Sequence, residues 1–270
     1  MNILDTIIAS KKIEVEQKKE FLPVKLLETF PFFDASCNSL VSQLLTEGAT
    51  GIIAEFKRKS PSKGTINDSV QIGPVVEAYD MYGASGISIL TDEIYFGGSN
   101  DDILYAREVV TVPILRKDFI IDEYQIIEAK AIGASLILLI AACLTPKRVQ
   151  ELALFAKRLN LEVLLEIHNE EELQHICIET DIVGVNNRDL KTFTVDVNRS
   201  IELSDKIPGD KIKISESGIS DVNTILRLKQ YGFQGFLIGE NFMKEPDPTI
   251  AFADFVTDLK ASQPEEFFRA

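Results

Sequence analysis

The 270-residue sequence predicts a closed (β/α)8 barrel, the TIM-barrel class of α/β fold, with a helical extension ahead of its first strand. Three observations carry this expectation. Eight short apolar runs recur at intervals of roughly 21 to 35 residues, with helical patterns between them, and eight such units over about 210 residues suit barrel closure. The runs are continuously apolar rather than alternating, as strands of a parallel sheet buried on both faces must be. Polar residues gather where each run ends, at the strand ends that carry the chemistry in this architecture. An open doubly wound sheet is the competing arrangement, but no G-x-G-x-x-G turn follows the first strand. The expectation is one barrel domain over 1–270 that includes an extension at 1–48.

Within the extension, Ile3, Leu4, Ile7, Ile8, Ile13 and Val15 recur at roughly helical spacing among Lys and Glu, which predicts an amphipathic helix. A helix initiated by Pro23 and another from Ser39 to Thr46, stopped by Gly48, follow. An apolar face needs something to cover, and a barrel end would serve. The strands are GIIAEF from 51, GISIL from 86, VPILRK from 112, SLILLI from 135, LEVLLEI from 161, IVGVN from 182, KIKISES from 211 and GFLIG from 235. Helical patterns at 122–131, 145–158 and 220–230 are the clearest of those between them.

Composition narrows the partners. A net charge of −14 argues against nucleic acid or an anionic membrane, both of which attract basic faces. The three cysteines, Cys37, Cys143 and Cys177, form no C-x-x-C pair and read as reduced thiols. No signal-peptide pattern opens the chain, and LILLIAACL at 136–144 is about half a bilayer span. The expectation is a soluble cytoplasmic protein, a monomer or weak homodimer, whose partner is a small anionic molecule.

Chemistry concentrates at the strand ends. Glu55 and Lys57 close the first strand, Lys117 the third and Glu166 the fifth; Asn186 and Arg188 follow the sixth, Glu216 and Ser217 the seventh, Gly239 and Glu240 the eighth. Charges in a barrel mouth are costly to desolvate unless paired. Lys117 facing Glu166 can be a general acid facing a general base, or a salt bridge tying strands together. Burial there is expected to lower the Lys117 pKa toward working pH. SESGI at 215–219 and IGEN at 238–241 each set a glycine between strand and helix, where exposed N–H groups meet phosphate. Around the first strand, Lys57 shares the pleat face of Glu55, Arg58 alternates outward and Lys59 lies outside the site. The turn SPSKG at 60–64 offers Ser60 and Ser62 to an anion. These cations read as a positive funnel in an acidic protein. Tyr95, Phe96, Phe119 and Leu190 could line a flat apolar pocket, with core packing the alternative for Phe119. His168 and His175, without a Cys or carboxylate cluster, predict no metal site; His168 reads as a loop histidine or a peripheral charge beside Glu166.

The ordered set AEFKRKSPSKG, ILTDEIYFGGS, PILRKDFIIDEYQI, LLEIHNEEEL, GVNNRDLKTF, ISESGI and FLIGENFM resembles the indole-3-glycerol phosphate synthase family of tryptophan biosynthesis. The resemblance spans essentially the whole chain, including the helical extension. It implies conversion of 1-(2-carboxyphenylamino)-1-deoxyribulose 5-phosphate to indole-3-glycerol phosphate, carbon dioxide and water, with no cofactor and no metal. It further implies Lys117 as general acid of ring closure and Glu166 as general base of dehydration. Lys57 would hold the anionic groups and assist proton transfer, with Glu55 orienting it. Asn186 and Glu216 would meet substrate hydroxyls, and Ser217, Gly218, Gly239 and Glu240 the phosphate; Ser60, Phe96, Phe119, Arg188 and Leu190 complete the expected contacts. A sugar-phosphate isomerase type of barrel, or a non-catalytic phosphate-binding scaffold, would explain the phosphate loops. Neither calls for both an aryl-carboxylate cation and the Lys117–Glu166 pair.

Overall fold

A computed structural model describes residues 3–189 and 192–262. Eight parallel strands close into a barrel, each hydrogen-bonded to its sequence neighbours and the last returning to the first. They are β1 Ile52–Phe56, β2 Gly86–Leu90, β3 Ile114–Lys117, β4 Leu136–Ile140, β5 Glu162–Ile167, β6 Ile182–Asn186, β7 Ile212–Glu216 and β8 Gly235–Ile238. Closure pairs Ile52 with Phe236 and Ala54 with Ile238. All of β1, β2 and β4 is buried, as the continuous apolar runs require.

The alternation of side chains along each strand separates two cores. Ala54, Phe56, Ile87, Ile89, Ile137, Leu139, Val163 and Leu165 face the surrounding helices. Ile53, Leu115, Leu138, Leu164, Ile182, Ile214 and Leu237 fill the barrel interior. Two residues further along the interior face come Glu55, Lys117, Glu166, Glu216 and Gly239, with Asn186 four beyond Ile182. The pleat that packs the core therefore aims the site.

The extension covers both barrel ends. Helix α1 (Ile3–Phe21) lies over the mouth, burying Ile7, Lys11 and Val15 at four-residue intervals. This differs from the sequence expectation at one position: Ile13 is 62% exposed and Lys11 takes the inward place. The Lys11 ammonium reaches Asp92 at 2.9 Å and Asp118 at 3.0 Å, so two buried carboxylates draw a lysine inside. Pro23 precedes the short helix α2 (Val24–Leu27). Helix α3 (Leu40–Leu45) closes the opposite end, its Leu40 and Leu44 joining the interior core. Glu162, at the start of β5, accepts the Leu40 N–H at 2.7 Å and anchors the helix there.

Two loops differ from a plain β–α repeat. A small antiparallel ribbon pairs Lys59 with Thr65 and Ser60 with Gly64, shaping the SPSKG turn. After β5 the chain forms a 3-10 segment, Glu170–His175, in place of an α-helix. Among the described residues no helix is long and apolar enough to cross a membrane.

Candidate active site

A cavity of about 500 Å³ opens at the C-terminal ends of the strands. Glu55, Lys57, Lys117, Glu166, Asn186 and Glu216 line its floor and walls, and Ser60, Phe96, Phe119, Arg188, Ser217, Gly218, Gly239 and Glu240 line its sides and rim. Leu190 lies outside the described residues. Ile3, Leu4 and Ile7 of α1 line the cavity as well: the sequence places the apolar face of the amino-terminal helices at the active-site end of the barrel but does not single out these three side chains.

The Lys117 Nζ lies 2.8 Å from Glu166 Oε2 and 3.0 Å from Glu216 Oε2. Burial pulls the lysine pKa down, but Glu166, Glu216 and Glu55 outweigh it, and the net shift is upward. This corrects the expectation of a lowered value: three strands bring carboxylates to one ammonium. Burial works against ionisation of Glu166 too, yet Lys117 and His168 hold it well below the usual carboxylate range. Glu216 goes the other way. Burial raises it, Lys117 only partly offsets this, and with Glu166 and Glu55 adding their repulsion it is pushed up to about 7. One of its oxygens, Oε1, has no hydrogen-bond partner. A Cβ at Gly184 would come within 2.2 Å of that oxygen, so β6 carries glycine where Glu216 folds against it.

Lys57 binds Glu55 at 2.5 Å, both turned into the cavity as the pleat predicts. Arg58 leaves the site to clasp Asp102, and Lys59 donates to the Ile94 carbonyl at 2.8 Å. Lys63 and Arg188 each reach Glu240 at 3.3 Å, bridging three loops at the rim. The expected positive funnel is corrected accordingly: its cations are already paired, mostly with carboxylates from other loops or strands.

Asn186 accepts the Arg188 N–H through Oδ1 at 3.0 Å. Its neighbour Asn187, fully buried, donates to the Ser217 carbonyl and the Ser215 hydroxyl, each at 3.0 Å. That bracing supports a strained turn, because Ser217 and Gly218 take φ of 68° and 77° in succession. Phe96 and Phe119 meet with ring centroids 6.0 Å apart and form an apolar wall. Tyr95 turns away instead, its hydroxyl 2.8 Å from Ser10 Oγ of α1. His168 is no loose loop residue: it is 8% exposed, wedged between Glu166 and Glu172.

Residues 4–255 match the indole-3-glycerol phosphate synthase family. The chain belongs to that family. Curated relatives agree along nearly the full length of both chains. The indole-3-glycerol phosphate synthase of Bacteroides thetaiotaomicron is 48% identical over 97% of this chain and 99% of its own. That of Salinibacter ruber is 41% identical over 92% and 93%. Among solved structures, a mutant tryptophan synthase α-subunit from Pyrococcus furiosus superposes with a TM-score of 0.61 at 16% identity, covering 80% of this chain and 100% of that one. At that identity the likeness speaks for the barrel alone.

Proposed function

We propose that this protein catalyses the indole-3-glycerol phosphate synthase reaction, with the extension and the barrel acting as one catalytic unit. The observation that carries the reading is Lys117, ion-paired to Glu166 and Glu216 at the floor of a cavity with one aromatic wall and one glycine-rich rim. The aryl ring of the substrate would lie against Phe96, Phe119 and the α1 side chains. Its phosphate would meet the loops at Ser217–Gly218 and Gly239–Glu240, drawing Arg188 and Lys63 from Glu240. Lys57, oriented by Glu55, would hold the aryl carboxylate.

In ring closure, the aryl carbon bearing the carboxylate attacks the ketose carbonyl while Lys117 gives its proton to the carbonyl oxygen. The carbonyl π pair becomes a hydroxyl, and loss of carbon dioxide restores the aromatic ring. The raised pKa keeps Lys117 charged in a buried cavity, so the proton is present to give, and the developing alkoxide is basic enough to take it. Glu216, titrating near neutrality beside Lys117, is placed to return the proton. In dehydration, Glu166 removes the proton on the adjacent carbon while Lys57, freed of the carboxylate, gives a proton to the hydroxyl, which departs as water and leaves the indole double bond. Asn186 and Glu216 would orient the hydroxyls of the chain.

The protein is further proposed to work in the cytoplasm as a monomer or weak homodimer, without nucleic acid, membrane or cofactor. Incubation of the purified chain with 1-(2-carboxyphenylamino)-1-deoxyribulose 5-phosphate, followed by indole fluorescence and carbon dioxide release, tests the activity. Unchanged substrate after prolonged incubation with folded protein would overturn it.

A further inference from the structure

His168 is buried, titratable and unused by the chemistry above. Its Nδ1 is hydrogen-bonded to Glu172 Oε2 at 3.3 Å, and its Nε2 lies 3.3 Å from Glu166 Oε1, at ion-pair distance but without hydrogen-bond geometry. Glu172 is itself fixed, accepting the His168 N–H at 2.7 Å and the Asn169 side chain at 2.9 Å. The two Glu166 oxygens therefore have different neighbours: Oε2 faces Lys117 and Oε1 faces the imidazole. We propose that His168 is a positioning residue for Glu166, a cation set beside one carboxylate oxygen while the other is turned to Lys117 and the substrate.

The need for it follows from the functional reading, on which this inference rests. When Lys117 turns to the substrate carbonyl, Glu166 loses its nearest cation while still buried beside Glu216 and Glu55. A buried carboxyl in that position would take up a proton and cease to be a base. His168 remains in place to prevent this. Burial opposes its charge, but Glu166 and Glu172 together raise its pKa to about 9, so it stays an imidazolium at neutral pH. Other groups near the pair do not replace it. Cys143, with its thiol pushed up by burial, Glu166 and Glu172, is neutral. Behind His168 a second cavity carries Glu170, Asp189, Glu202, Arg199 and Lys206, with both signs of charge.

His168→Gln keeps an amide donor and removes the charge. An opposite charge within about 4–6 Å displaces a carboxyl pKa by about one to three units. The acid limb of kcat/KM should move up by at least about one pH unit, lowering activity roughly tenfold near the limb, while KM changes less than about threefold. Glu172→Gln, a milder change that leaves the histidine in place, should move the limb in the same direction by less. Imidazole ¹⁵N resonances provide a readout independent of turnover: the chain has only two histidines, and the signal lost in His168→Gln should be that of an imidazolium through pH 8. Folded His168→Gln and Glu172→Gln enzymes with the parent's pH profile would refute the inference and leave the activity intact. A neutral imidazole at pH 7 would refute it as well. A parent without turnover would instead remove the functional reading, and this inference with it.

Discussion

Lys117→Met keeps most of the apolar stem and removes the proton. In the parent, Nζ stands 2.8 Å from Glu166 and 3.0 Å from Glu216. At an effective dielectric of about 20, each contact represents about 5–6 kcal/mol of gross attraction. Desolvation of the three buried groups cancels much of this, so the net loss on removing the cation is about 3–5 kcal/mol of stability. A positioned general acid contributes roughly 10²- to 10⁴-fold in rate, a barrier change of about 3–5 kcal/mol. Stability and barrier are thus predicted to change by similar amounts, and only kinetics on folded protein separates them. The assay is kcat and KM by indole fluorescence at pH 7.5, with urea melts locating conditions where the variant is fully folded. Turnover should fall at least a hundredfold with KM nearly unchanged, because Lys57 and the phosphate loops are intact.

The pH dependence of stability adds a sign. Glu166 has a folded pKa below its unfolded value, so its contribution is present above about pH 4.5 and is lost as pH falls through the acid range. Lys117→Met weakens that contribution, leaving His168 alone to hold Glu166 down, and lifts Glu216 further above its unfolded value. The stability gap between parent and variant should therefore be widest above pH 7 and narrow toward pH 5. A folded variant turning over within about tenfold of the parent would refute Lys117 as the acid, and Lys57 would be the next residue to examine.

Three further outcomes are expected. Replacing the half-buried Ile3 and Leu4 together by Ser should raise KM by about tenfold, roughly 1.4 kcal/mol, with a small change in melting temperature; unchanged KM would detach α1 from the site, whereas deletion through residue 45 would also strip Leu40 and Leu44 from the barrel floor. Glu216→Gln should stabilise the fold by about 1–3 kcal/mol at pH 8. The folded carboxyl keeps its proton up to about pH 7 while the unfolded one gives it up near 4.5, so the penalty builds between those values and is complete above 7; the gain should therefore nearly vanish by pH 5 while kcat/KM falls, and equal melting at both pH values would show that Glu216 is not strained. Inorganic phosphate should inhibit competitively, and Gly218→Val, whose Cβ would meet Val195 at 2.3 Å on a left-handed backbone, should weaken that inhibition; unaltered inhibition in folded protein would move the anion site elsewhere.

The residues that could be read from sequence share one geometric property. Glu55, Lys117, Glu166 and Glu216 each lie two positions beyond an interior apolar residue of the same strand, so a period of two predicts where they point. Ser217, Gly218 and Gly239 were legible because a strand-to-helix turn needs particular backbone shapes. What escaped depends on partners brought from elsewhere in the chain. Lys11 reads as a solvated helix lysine until Asp92 and Asp118, from the loops after β2 and β3, are placed beneath it. Tyr95 reads as a pocket residue until Ser10 approaches it, and His168 gains meaning only through Glu172, which the 3-10 segment folds back. The rise in the Lys117 pKa was hidden for the same reason, since its sign is a sum over three other strands.

That sum also explains why an acidic chain sets cations at a strand end. A lysine alone in a drying cavity sheds its proton, because burial disfavours the charged form, and a neutral amine cannot serve as an acid. Glu55, Glu166 and Glu216 reverse this for Lys117, at the risk of leaving more carboxylates than cations on the cavity floor. Glu216 relieves the excess by titrating near 7, and His168 contributes a further positive charge on the far side of Glu166. The site thus approaches electrical balance while Lys117, the proposed proton donor, stays charged and Glu166, the proposed base, stays ionised. Acidity in the surrounding strands is what keeps a buried lysine an acid.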